Sequence, residues 1–250
     1  KIIQVLKKTI FNLTFYPLFV IVTIGMSAFF FFPVVIARPF IGVRRTLWVT
    51  RQLIRWYGLV VTRFLMFPFV RIIYKDFEKG KEPGVCVYVC NHRSSSDGFL
   101  MAYLGVECVQ VASNWPFKIP VIGWIARVAG YLNVQKMSSE DFETTACQLL
   151  KENVSIVAFP EGSRTTDSKV RQFNGSVFRL AQKAGIPIVP LCISGNQKMP
   201  EKDSWVLTPG TIYLHKLPTI HYEEFKDLIP FKLKNMVREI IQNEVDKLEI

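Results

Sequence analysis

Hydrophobic and polar positions divide the chain into two unlike parts. Residues 9–37 carry no charge, and Phe15–Ala37 within them is almost wholly apolar, with an aromatic run from Phe29 to Phe32. A helix that crosses a bilayer needs about 20 apolar residues, so this stretch is long enough. It is not patterned as a cleaved signal peptide: the apolar part is too long, and Arg38-Pro39 follows where small residues should stand. Pro17 and Pro33 permit a bent helix near its ends. The next stretch, 44–73, predicts a second, amphipathic helix. Arg44, Arg51, Arg55 and Arg63 fall on one helical face, and Trp48, Trp56 and Tyr57 suit a position at interface depth. Arg51, Arg55 and Arg63 are expected to reach from there to lipid headgroups.

From Asp76 the pattern changes to short apolar runs alternating with amphipathic stretches. Strands are predicted at 85–90, 106–112, 130–134, 155–159, 186–193 and 211–215. Helices are predicted at 97–104, 120–129, 140–151, 177–184 and 231–248, with Gly185 ending the fourth. Strand and helix alternate, which predicts an α/β fold: a mainly parallel central sheet flanked by helices. The expected organisation is a membrane-anchoring helix pair over residues 1–75 and an α/β domain over residues 76–250.

Charge follows the same division. The net charge is +11 over 250 residues. Residues 1–75 hold 11 Lys/Arg and no acid, whereas residues 76–250 hold 20 of each sign. A segment both basic and apolar points to an anionic membrane surface and not to nucleic acid. Lys7 and Lys8 precede the apolar run and Arg38, Arg44 and Arg45 follow it, so a simple span would export one basic cluster. An embedded helix pair keeps both at one surface, expected to be the cytosolic face of the inner or plasma membrane. The five cysteines, Cys86, Cys90, Cys108, Cys147 and Cys192, show no C-x-x-C spacing and no Cys–His arrangement that suggests a zinc site. They read as buried thiols of a reducing compartment, with no metal site.

Two polar loops follow apolar strands, where open α/β sheets place ligands. The first, Asn91-His92-Arg93-Ser94-Ser95-Ser96-Asp97, offers an imidazole that can serve as general base. Asp97 could orient it, or could simply cap the following helix. The second is Phe159-Pro160-Glu161-Gly162-Ser163-Arg164-Thr165. Its Pro and Gly set a turn, Arg164 presents the planar fork that suits a phosphate, and Glu161 could hold Arg164 or a loop backbone. A serine nucleophile among Ser94, Ser95 and Ser96 is the competing reading, although no G-x-S-x-G elbow is present.

These loops resemble the glycerolipid acyltransferase family, most nearly its bacterial 1-acyl-sn-glycerol-3-phosphate O-acyltransferases. The N-H-x4-D block is matched at Asn91–Asp97 and F-P-E-G-[ST]-R-[ST] at Phe159–Thr165. A G-x-x-F-I-x-R block is matched loosely at Gly130–Lys136, with Asn133 and Lys136 in place of Phe and Arg, and a V-P-[VL] block at Val189–Leu191. The resemblance implies acyl transfer from an acyl carrier protein or coenzyme A thioester to the free hydroxyl of lysophosphatidic acid, giving phosphatidic acid, with membrane lipids as surroundings and no cofactor or metal. It implies His92 as base, Asp97 as its partner, and Arg164 with Lys136 at the acceptor phosphate. Glu161, Gly162 and Ser163 would shape that pocket, and Lys118 could add a cation. Lysines usual in the family are missing around Ser113–Pro116 and Phe173–Ser176, so another lyso-lipid acceptor, such as a lyso-ornithine lipid, is the alternative.

Overall fold

The computed structural model describes residues 2–81, 83–201 and 203–249. The chain begins as one helical rod, Ile2–Ile36. It comprises α1 (Ile2–Met26), a π-turn (Ser27–Phe31) and α2 (Phe32–Ile36), which carries Pro33 in its first turn, where a missing N–H is tolerated. A short α3 (Arg38–Ile41) and Gly42 reverse the chain into α4 (Val43–Val60) and a second π-turn, Val61–Leu65. The predicted helix pair therefore forms, but its second member ends earlier than expected. Pro68 cannot continue a helix, and the β-branched and aromatic run that follows suits a pleated edge. Residues Val70–Asp76 are strand β1, parallel to the strand β7 (Gly210–Lys216).

The remaining elements are β2 (Val87–Cys90), α5 (Asp97–Leu100), β3 (Cys108–Ala112), α6 (Ile122–Val128), β4 (Leu132–Asn133), α7 (Ser139–Lys151), β5 (Ser155–Ala158), α8 (Ser176–Ala184), β6 (Ile188–Ser194), α9 (Tyr222–Phe225) and α10 (Pro230–Leu248). Seven strands make one sheet in the order β1-β7-β6-β2-β5-β3-β4. Every neighbouring pair is parallel except β6 with β7. Strands β2 to β6 thus share one direction, and the loops after them issue from one edge of the sheet.

Side chains along β2 alternate between two cores, as the pleat requires. Val87 and Val89 pack with Phe142, Phe178, Leu180 and Val237 on the face covered by α7, α8 and α10. Tyr88 and Cys90 pack on the other face with Phe11, Phe15, Tyr57 and Val61 of the helix pair. The pair is therefore built into the domain. Phe11 stacks on Phe69 with ring centroids 5.0 Å apart, and Thr23 bonds Tyr57 at 2.6 Å. Gly58 lets α4 lie against α5: a Cβ there would stand 2.8 Å from Ala102 Cβ and 2.9 Å from the Phe99 carbonyl.

Arg51 departs from expectation. It does not reach toward lipid but is buried, donating to the Ala129 carbonyl at 3.0 Å and pairing with Glu107 at 2.8 Å. The face of the pair turned from the domain is apolar and exposed, at Leu13, Ile21, Ile24, Phe29, Trp48 and Trp56 among others. Cys86, Cys90 and Cys192 are buried free thiols as expected, whereas Cys108 and Cys147 are only half-buried.

Candidate active site

Asn91, the first residue after β2, locks the loop that carries His92 to β6. Its amide donates to the Ile193 carbonyl and accepts from the Ile193 N–H, both at 2.8 Å. His92 is held through its backbone by the second loop. Its N–H donates to Glu161 Oε1 at 2.7 Å, and its carbonyl accepts from the Thr165 N–H at 2.9 Å. Two loops that are far apart in sequence are thus laced together at the carboxyl ends of β2 and β5, which are neighbours in the sheet.

His92 Nδ1 lies 2.7 Å from Asp97 Oδ2. Asp97 is fully buried. The same Oδ2 accepts from the backbone N–H groups of Arg93 at 2.7 Å and Ser94 at 3.0 Å, while Oδ1 accepts from the Asn196 side-chain amide. Asp97 takes amides of the loop before it, not those of the helix after it, so it is not a plain N-cap. A carboxylate with that many fixed donors is an acceptor for an Nδ1–H, which assigns the imidazole tautomer and leaves Nε2 as the basic nitrogen. Nε2 has no hydrogen-bond partner among the described residues, and the His92 side chain is 21% exposed, so that nitrogen is open to a ligand. The Phe159 ring, 4.9 Å away, walls one side.

The hydroxyls of the loop serines stand apart from this pair. Ser94 is buried and donates to the Met199 carbonyl at 2.7 Å, Ser96 is buried, and none of the three bonds His92. Cys90 and Cys192 are not available as nucleophiles: burial, and next the nearby Asp97, push the Cys90 thiol well up, and burial raises Cys192.

Of the two roles open to Glu161, the structure selects the backbone. Its second oxygen accepts from the Arg171 N–H at 2.8 Å, and it makes no ion pair with Arg164. Burial raises the Glu161 carboxyl above the usual range, against the opposing pull of those two amides. Gly162 turns the loop at φ 68° with Ser163 beside it, both exposed. Arg164 is half-buried and has no hydrogen bond or ion pair among the described residues. Lys118 and Lys136 are exposed, on loops after the neighbouring strands β3 and β4. Asn133 ties those two loops together through Asn114 at 3.0 Å. The lysines share the carboxyl edge with the site but contact neither His92 nor Arg164.

Two contributors escape sequence reasoning. Asn196 reaches Asp97 across 99 residues of chain. Gly195 aims it: φ is +86° and a Cβ would fall 2.1 Å from the Thr211 carbonyl oxygen, so only glycine fits. The sole signal was a Gly-Asn pair directly after an apolar strand. The second is Arg93, buried, which donates to the Asp167 carbonyl and to Glu249 directly after α10.

Fold and site together define an α/β enzyme with an imidazole–carboxylate pair at the carboxyl edge of its sheet. Over residues 71–194 the chain matches the model of the acyltransferase family. It is 32% identical over 160 residues to a chloroplastic 1-acyl-sn-glycerol-3-phosphate acyltransferase of Brassica napus, covering 62% of this chain and 46% of that one. It is 25% identical over 142 residues to the corresponding protein of Pseudomonas aeruginosa, covering 55% of each. The chain spans about half the length of the curated relatives it matches. A crystal structure titled as the 1-acyl-sn-glycerophosphate acyltransferase PlsC of Thermotoga maritima shares the fold, with TM-score 0.81, 22% identity and 98% coverage of both chains.

Proposed function

We propose that this chain transfers an acyl group from a thioester of acyl carrier protein or coenzyme A to the free hydroxyl of 1-acylglycerol-3-phosphate, forming phosphatidic acid on the cytosolic face of a membrane. The observation that carries it is the His92–Asp97 pair with Nε2 open and, among the described residues, no serine or cysteine side chain bonded to the imidazole. His92 Nε2 takes the hydroxyl proton as that oxygen attacks the thioester carbonyl. A C–O bond forms, the C–S bond breaks, and the proton passes from the imidazolium to the leaving thiolate. Asp97 fixes the tautomer and stabilises the imidazolium. Arg164 suits the acceptor phosphate bidentately, with Lys118 and Lys136 adding positive potential at the same edge. The exposed apolar face of the helix pair supports access of both substrates from the bilayer.

The test is product analysis with a labelled acyl thioester, both carriers and a panel of lyso-lipids. His92→Ala is expected to lower turnover about 10²–10⁴-fold, the usual contribution of a general base. Arg164→Ala is expected to raise KM for phosphate-bearing acceptors more than for the thioester. Wild-type turnover by folded His92→Ala protein would sink the mechanism. Preference for a phosphate-free lyso-lipid, untouched by Arg164→Ala, would reassign the acceptor.

A further inference from the structure

Asn12 is a polar residue inside the 29-residue uncharged stretch. Both ends of its side-chain amide are engaged by one residue: it donates to the Leu207 carbonyl and accepts from the Leu207 N–H, each at 2.8 Å. One turn further along α1, the Tyr16 hydroxyl donates to the Trp205 carbonyl. Two polar side chains at i and i+4 thus pin the segment Ser204–Leu207 along the helix. Leu207 is buried beneath it, but the Trp205 side chain points away, with the residue 80% exposed, and Val206 is 46% exposed. An indole that size is rarely left to water, and its own carbonyl is held by Tyr16 of the apolar rod. The same loop touches the loop that carries His92 further back, where the Met199 carbonyl accepts from Ser94 Oγ at 2.7 Å and Asn196 holds Asp97.

We propose that Trp205 and Val206 are a second bilayer contact, a wedge seated at the headgroup–acyl boundary beside α1. This rests on the membrane reading of the helix pair and extends it to a loop of the α/β domain. The occupant is lipid because the loop is pinned to α1, whose own surface is apolar and exposed, and because tryptophan, apolar in body with one polar N–H, is the residue suited to that depth. Glu201 and Asp203 are exposed just before it, so penetration stops at the tip. The wedge fixes the distance between the bilayer surface and the loop that carries Asn196.

The experiment uses the full chain with Trp48, Trp56, Trp115 and Trp124 changed to Phe, bound to vesicles of equal parts phosphatidylcholine and phosphatidylglycerol. Trp205 emission is expected to shift to the blue and to be quenched by acyl chains brominated near the headgroup. In the otherwise wild-type chain, Trp205→Phe isolates the same signal by difference. Trp205→Ser is expected to lower transfer to vesicle-presented acceptor several-fold and to leave detergent-dispersed acceptor unaffected. Sedimentation with vesicles but no quenching of Trp205 overturns the wedge alone. Failure to sediment at all overturns the membrane reading and the wedge with it.

Discussion

Both oxygens of Asp97 are engaged, one by His92 and two backbone amides, the other by Asn196. Asn196→Ala leaves a buried carboxylate oxygen with one donor fewer, which costs about 2 kcal/mol for a hydrogen bond to a charge. The carboxylate would then be free to rotate away from the imidazole. If that loss falls on the transition state, kcat drops on the order of thirtyfold with little change in KM for either substrate. Asn196→Asp should be worse, since it sets a second negative charge against Asp97. Separate kcat and KM measurements with a pH profile check this, and a pure KM effect would make Asn196 an acceptor contact instead. At this scale the sequence was most legible where chemistry is local. His92 and Asp97 lie five residues apart in one loop, so their pairing can be read along the chain. The role of Glu161 could be narrowed only to two options, because its partners are backbone amides of remote residues. Asn196 and the Arg93–Glu249 contact were invisible, since only tertiary packing brings such residues together.

Periodicity located the buried strands β2, β5 and β6 to within two residues because they are short apolar runs bounded by polar loops. It failed at β1, where Val70–Asp76 follows an amphipathic helix without a polar break and its mixed residues fit either period. Arg51 misled for a similar reason: four arginines on one face look alike until Glu107 and a carbonyl are found opposite one of them. The contact of α4 with α5 is the element-level joint of the molecule, because α5 begins at Asp97 while Gly58 touches its Phe99 carbonyl. Gly58→Ala gains helix propensity of up to about 1 kcal/mol. It also forces atoms apart in a joint that is already at contact, and overpacking costs about 1–3 kcal/mol. The expected outcome is a lower Tm in detergent accompanied by lower turnover, since α5 must shift. A Tm equal to or above wild type would show that the joint can yield.

The helix pair meets the α/β domain toward both of its ends. Near its start Phe11 and Asn12 hold Phe69 and Leu207; near the turn Arg51 holds Glu107 and Ala129. A bitopic helix would carry one end away from the domain, whereas this pair lies along it, and basic residues at both ends of the apolar run agree with a single anionic surface. Single cysteines at Gln4 and Arg44, in a chain cleared of its five native cysteines, are therefore expected to react with an impermeant reagent from the same side of the membrane. Labelling of the two from opposite sides would require a span. The tie between Arg93 and Glu249 gives the molecule a direction in time as well as in space. Ribosomal synthesis delivers the greasy helices first, and they can settle in lipid while the sheet is still unfinished. The loop with His92 and Arg93 follows, yet its buried guanidinium waits for a carboxylate made 156 residues later. On the membrane reading proposed above, a nascent chain reaches the bilayer before the loop that carries His92 has been tied in place.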